Sequence, residues 1–232
     1  MTAKNLQAGA AASRPDDHRR RVVILLFDDV EVLDFAGPFE VFAVTTTDTG
    51  APAFDVSTVS IDASEITARN DLRVLPTRLS AEMTGAEILV VPGGSGTRRQ
   101  MTNPAMLSFL READSSAELV LSVCTGALLL GAAGLLKGQA ATTHWSAMDE
   151  LRALSTGAEI LPRARIVDNG RLVVSAGVSA GIDAALHIVC RLLGRHQAEA
   201  TAREMDYDWI YGDTRTVIMS PGLQSINGSS EL

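Results

Sequence analysis

Glu118-Leu119-Val120-Leu121-Ser122-Val123-Cys124-Thr125-Gly126-Ala127-Leu128 is the stretch on which the reading of this chain turns. Glu118 to Val123 is a short, nearly continuous apolar run, the pattern of a strand buried on both faces. Thr125 to Ala133 then reads as a helix of small residues ending near Gly134. A cysteine between such a strand and such a helix occupies a sharp, strained turn, as in a nucleophile elbow. The unpaired N–H groups and the dipole of the following helix favour thiolate over thiol, so a lowered Cys124 pKa is expected. The competing reading is an inert cysteine packed as a small hydrophobe.

Outward from this turn, strands and helices alternate. Val22 to Phe27 and Ile88 to Val91 are further apolar runs of strand length, Phe54 to Ser60 alternates like a strand, and an extended segment ends near Leu75. Helices are expected from Gly37-Pro38 onward, from Asn103-Pro104 to about Asp114, from about Ser146 to Leu154, over Ile182 to Leu193, and over roughly Gln197 to Asp206. Thr142 to Trp145 is a short extended piece. Arg163 to Asp168 and Arg171 to Ser175 bracket Asn169-Gly170, a strong hairpin signal. This order predicts an α/β fold, a mostly parallel sheet with helices on both faces. Ligands of such sheets sit at the carboxyl ends of the strands, which singles out the loops Asp34 to Pro38, Pro92 to Gly96 and Cys124 to Gly126. Residues 1–20 read as a disordered leader, 21–206 as a single α/β catalytic domain and 207–232 as a C-terminal tail.

Composition bounds the function. With 46% hydrophobic residues in 232, the chain can build a core without disulfide or metal staples. No apolar run approaches the roughly 18 residues a spanning helix needs, so no membrane partner is expected. A net charge of −8 argues against a nucleic-acid surface, and the basic cluster His18-Arg19-Arg20-Arg21 reads as solvated flank. Cys124 and Cys190 match no disulfide framework, and with no secretion signal a reducing cytoplasm is the expected setting. Cys190 reads as core packing within a helix. His187 and His196, nine apart, do not share a helix face at ligand spacing, and no metal is expected. Gly93-Gly94 lacks the Lys-Ser/Thr of a phosphate-binding loop and reads instead as an oxyanion-type pocket of backbone N–H groups. His144 and Trp145 read as structural or as lying near a subunit contact.

Five motifs in order carry a resemblance: Leu33-Asp34-Phe35-Ala36-Gly37-Pro38, Pro92-Gly93-Gly94-Ser95-Gly96, Ser122-Val123-Cys124-Thr125-Gly126, Ala141-Thr142-Thr143-His144-Trp145, and Gly177-Val178-Ser179-Ala180-Gly181-Ile182-Asp183. Over nearly all of Val22 to Tyr207 the chain resembles the ThiJ/PfpI superfamily, whose fold is flavodoxin-like and of the class I glutamine amidotransferase type. Within that superfamily it is most similar to the isonitrile (isocyanide) hydratases. The resemblance implies Cys124 as nucleophile, Asp34 as its acidic partner and Thr125 as a neighbour in the pocket, with Gly93, Gly94 and Ser179 lining the substrate site. It implies a hydro-lyase that turns isonitriles into N-substituted formamides through a thioimidate, a homodimer with a small-molecule substrate and no cofactor. A thiol and a carboxyl at such close quarters can share one proton, with the carboxyl form donating to sulfur. Other members imply alternatives: a non-catalytic ligand-sensing domain like those of AraC-type regulators, or a redox or aldehyde-handling protein. Many peptidase-like members carry histidine directly after the cysteine, whereas this chain has Thr125, which removes the base a Cys-His hydrolase needs.

Overall fold

The computed structural model describes residues 19–61, 63–79, 85–213 and 215–219. The expected leader lies almost wholly outside these residues, as do positions 220–232 of the expected tail. In chain order the elements are β1 (Arg20–Leu26), α1 (Val32–Val44), β2 (Phe54–Ser60), β3 (Ile66–Thr67), β4 (Arg73–Val74), β5 (Arg78–Leu79), β6 (Ile88–Val91), α2 (Thr97–Gln100), α3 (Pro104–Ser116), β7 (Leu119–Val123) and α4 (Gly126–Ala132). The second half holds β8 (Ala140–Ala141), α5 (Met148–Leu154), β9 (Glu159–Ile160), β10 (Ile166–Asp168), β11 (Leu172–Ser175), α6 (Ala180–Leu193), α7 (Arg195–Glu204) and β12 (Thr216–Ile218).

The main sheet has the order β12-β10-β11-β7-β6-β1-β2-β5. Every neighbouring pair is parallel except β10 with β11. That exception is the expected hairpin, but its tip is shifted by one residue. Asn169 N–H donates to Leu172 O, and Gly170, at φ +85°, is the first central residue, as in a type II′ turn. The central strands are apolar on both sides because helices cover both. α1, α6 and α7 pack together in one layer, and α2 to α5 form the other. The layers are thin where glycine allows it: a Cβ on Gly37 would lie 2.8 Å from Ile182 Cγ1, and one on Gly181 would lie 2.9 Å from Val123 Cγ1.

Two expectations are corrected. α1 begins at Val32, five residues before Gly37-Pro38, so Asp34 lies in its first turn rather than in a loop, and Pro38 is inside the helix. An interior proline costs about 3 kcal/mol. The burial of Phe35, Val41 and Phe42 and the close contact at Gly37 offset that cost. The second correction concerns residues beyond Asp206, which were read as tail. Tyr207 Oη donates to Asp183 Oδ1 at 3.0 Å, and Thr216–Ile218 pairs in parallel with β10 as the edge of the main sheet. A three-residue strand among polar residues carries too little periodicity to be seen in sequence.

Candidate active site

Four adjacent strands in the sheet order, β11, β7, β6 and β1, deliver their carboxyl-terminal connections to one place. Cys124 follows β7 directly and has φ +57°, the left-handed region that costs a non-glycine residue roughly 1 kcal/mol or more. Its conformation is pinned from both sides: its N–H donates to Ala176 O at 3.0 Å, and Thr143 Oγ1 donates to its carbonyl at 2.7 Å. Gly126 permits the turn, since a Cβ there would stand 2.1 Å from Val91 O. Cys124 is 6% exposed.

Asp34 faces Cys124 from the first turn of α1 and is wholly buried. Its Oδ2 accepts from Gly93 N–H at 3.0 Å, and its Oδ1 has no partner at hydrogen-bonding geometry. The Cys124 thiol and the Val178 N–H nevertheless lie near enough to act on the carboxyl. Burial pushes the Asp34 pKa up to about 7, helped by the nearby Glu31 charge; the Gly93 and Val178 N–H groups and the thiol pull the other way. Cys124 is pushed up to about 12, first by burial and then by the Asp34 charge, against the N–H groups of Thr125 and Val178. The expected lowering of the thiol pKa is therefore reversed. The seven-residue α4 has a weak dipole, and desolvation beside a carboxylate outweighs it.

The remaining expected site residues fall into place unevenly. Thr125 is buried, but its hydroxyl accepts from Gly94 N–H at 2.9 Å and donates to Gly94 O at 3.1 Å. That side chain ties the 92–96 loop to the elbow and has no proton left for a thiol or a water. Gly93 and Gly94 adjoin the site, yet their N–H groups are engaged by Asp34 and Thr125, so the oxyanion pocket expected of them is not available. Gly93 matters through its missing side chain: a Cβ would lie 2.5 Å from Thr125 N and 2.9 Å from Asp34 Oδ2. Ser179 is exposed, and its Oγ accepts from Arg165 Nη2 at 3.3 Å rather than bonding to Asp34 or Cys124.

Sequence reasoning missed the loop after β11. Val178 sits there at φ +51°, a conformation that β-branched residues rarely adopt, and its N–H acts on both Asp34 and Cys124. A backbone donor leaves no side-chain signature, so only the resemblance touched this segment. Beside it, His144 packs against Gly177, where a Cβ would meet its Cδ2 at 2.3 Å. His144 Nδ1 pairs with Ser146 Oγ at 2.8 Å, and burial lowers its pKa. Trp145, its ring tilted by 40° against that of His144, is 80% exposed. Among the described residues no group of three or more His, Cys, Asp or Glu side chains is arranged to hold a metal ion, and no helix is long and apolar enough to cross a membrane.

The model of the DJ-1/PfpI family matches residues 20–191. An isonitrile hydratase of Pseudomonas putida is 36% identical over 81% of this chain and 78% of its own length. The HTH-type transcriptional regulator GbdR of Pseudomonas aeruginosa is 25% identical over 80% of this chain, which spans half of the regulator. A ThiJ/PfpI family protein from Pseudomonas syringae, known from a crystal structure, matches at a TM-score of 0.74 and 28% identity, over 90% of this chain and 86% of that one.

Proposed function

The chain belongs to the DJ-1/PfpI family, and from that premise we propose that it is an enzyme hydrating isonitriles to N-substituted formamides, with Cys124 as nucleophile and Asp34 as proton carrier. The observation that carries this reading is the buried pair itself: a strained cysteine facing a carboxyl whose Oδ1 is unpartnered and whose pKa lies near neutrality. The 36% identity with the Pseudomonas putida isonitrile hydratase supports the substrate class.

The pKa values decide the order of proton movement. Free ionisation of a thiol with a pKa of about 12 costs about 7 kcal/mol at pH 7. A relay avoids that cost. The Asp34 carboxylate takes the thiol proton and hands it to the terminal carbon of R–N≡C while the S–C bond forms, giving the thioimidate R–N=CH–S–Cys124. Water then adds to that carbon, its proton passing through Asp34 to nitrogen. The resulting R–NH–CH(OH)–S–Cys124 collapses as the C–S bond breaks and the hydroxyl proton returns to sulfur by way of Asp34. The product is R–NH–CHO, the sum of isonitrile and water, and both residues recover their starting forms. The N–H groups of Gly93 and Val178 both favour the carboxylate and steady it whenever the proton leaves it. No cofactor enters these steps. The reading places the protein in the cytoplasm as a homodimer.

Conversion of an aryl isocyanide to its formamide, followed by ultraviolet absorbance, tests the proposal. Wild type turns over and Cys124→Ala does not; equal turnover by both sinks it. The likeness to GbdR supports a second reading, a ligand-sensing domain without turnover. Saturable isonitrile binding without formamide release is its signature.

A further inference from the structure

The turn that carries Val178 is held by a chain of side chains that the steps above do not use. Arg165 precedes β10, and its carbonyl accepts from Ala176 N–H at 2.8 Å, at the start of the turn. Its guanidinium reaches the other end, donating from Nη2 to Ser179 Oγ at 3.3 Å and from Nε to Asp183 Oδ2 at 2.6 Å. Asp183, on the first turn of α6, accepts at Oδ1 from Tyr207 Oη at 3.0 Å. Arg165 and Asp183 are mostly buried, 20% and 16% exposed in their side chains, where an ion pair is screened less than at the surface. The turn touches the site directly, since Ala176 O accepts from Cys124 N–H at 3.0 Å, and between its two anchored ends stands a valine at φ +51°. Left to itself, such a residue relaxes to negative φ and its N–H swings away.

We propose that Arg165, Asp183 and Tyr207 are positioning residues, whose hydrogen-bonded chain holds the 176–179 turn so that the strained Val178 keeps its N–H on the Asp34–Cys124 pair. None of the three touches the reacting atoms. The inference rests on reading Asp34 and Cys124 as the reacting groups, but not on the identity of the substrate. Besides the Val178 N–H, the groups acting on Asp34 are Gly93 N–H, the Cys124 thiol and the Glu31 charge, all of which the substitutions below leave in place.

The test reads the rate of Cys124 alkylation by iodoacetamide across pH, with circular dichroism and Tm on each variant. In wild type the rate rises as Asp34 ionises near pH 7. Asp183→Ala moves that inflection upward by about one pH unit, because a donor that favoured the carboxylate is lost. It also lowers hydratase kcat severalfold more than it changes KM. In a Val178→Gly background, glycine takes positive φ without strain, so Asp183→Ala moves the inflection much less. Tyr207→Phe gives a smaller shift of the same sign. A lower Tm with an unmoved inflection, or an equal shift in both backgrounds, overturns the proposal and leaves the chain a stability element. Because alkylation needs no turnover, absence of hydratase activity in wild type counts against the proposed substrate alone and leaves this test standing.

Discussion

Cys124 and Asp34 act on each other with opposite sign: the thiol steadies the Asp34 carboxylate, and the carboxylate keeps Cys124 protonated. Near neutral pH the pair therefore exchanges one proton, with the second entering as pH falls through about 7. If the singly protonated pair is the reacting form, kcat/KM for an isonitrile climbs from acid to neutral with a midpoint of about 7 and stays level well above pH 9. A stopped-flow or steady-state pH profile checks this. A rate that peaks below pH 6 would mean that the doubly protonated pair reacts.

The same burial predicts a trade between activity and stability. The Asp34 pKa is raised on folding, so ionisation opposes the folded state. Stability is full below the unfolded value of 3.8, declines as pH rises toward 7, and is level above it. The cost reaches at most about 4 kcal/mol at pH 8. Asp34→Asn cannot ionise, so it abolishes turnover while raising stability at pH 8 relative to pH 4, as urea unfolding at the two pH values would measure. An equal stability difference from wild type at both pH values would contradict the assigned shift.

Thr125 is expected to behave as a tether. Thr125→Ser keeps both bonds to Gly94 and retains most activity. Thr125→Val strands the Gly94 N–H and carbonyl in a buried setting, costing about 2 kcal/mol in thermal or denaturant unfolding and about tenfold in kcat. Wild-type stability in the valine variant would return the hydroxyl to a chemical role.

Asp168 gives a prediction away from the site. Burial opposes its ionisation, but His187 Nε2 at 2.7 Å, Arg191 Nη1 at 3.0 Å and Gly170 N–H at 2.8 Å outweigh that and hold its pKa below the ordinary value. Its contribution is present above pH 3.8 and is lost as pH falls through the folded pKa. Asp168→Ala leaves two basic partners without their carboxylate and is expected to cost about 3 kcal/mol at pH 7, and less at pH 3. Denaturant melts at both values decide it.

The sheet was largely legible because strands such as Ile88–Val91 and Leu119–Val123 are buried on both faces and so write themselves as apolar runs. Cys124 was legible from its junction between such a run and a glycine-started helix. What stayed hidden depends on contacts distant in sequence. The start of α1 at Val32 is set by packing around Gly37 and Ile182, which overrides the signal of Pro38. β12 exists only because β10 offers an open edge. Which N–H groups remain free could not be known before the loops met. Gly93 and Gly94 turned out to be spoken for, while a valine, the least expected residue at positive φ, points its N–H inward.

The two left-handed residues of the site, Cys124 and Val178, also bear on how such a protein ages as a gene. A single base change converts a cysteine codon, or a valine codon, to glycine, the residue most at ease in that backbone conformation. A single base change likewise converts Asp34 to asparagine. Each step relieves strain or a buried charge. In a lineage where turnover ceases to matter, ordinary drift at Cys124 or Asp34 then erases the chemistry first and leaves a fold that is sturdier than before.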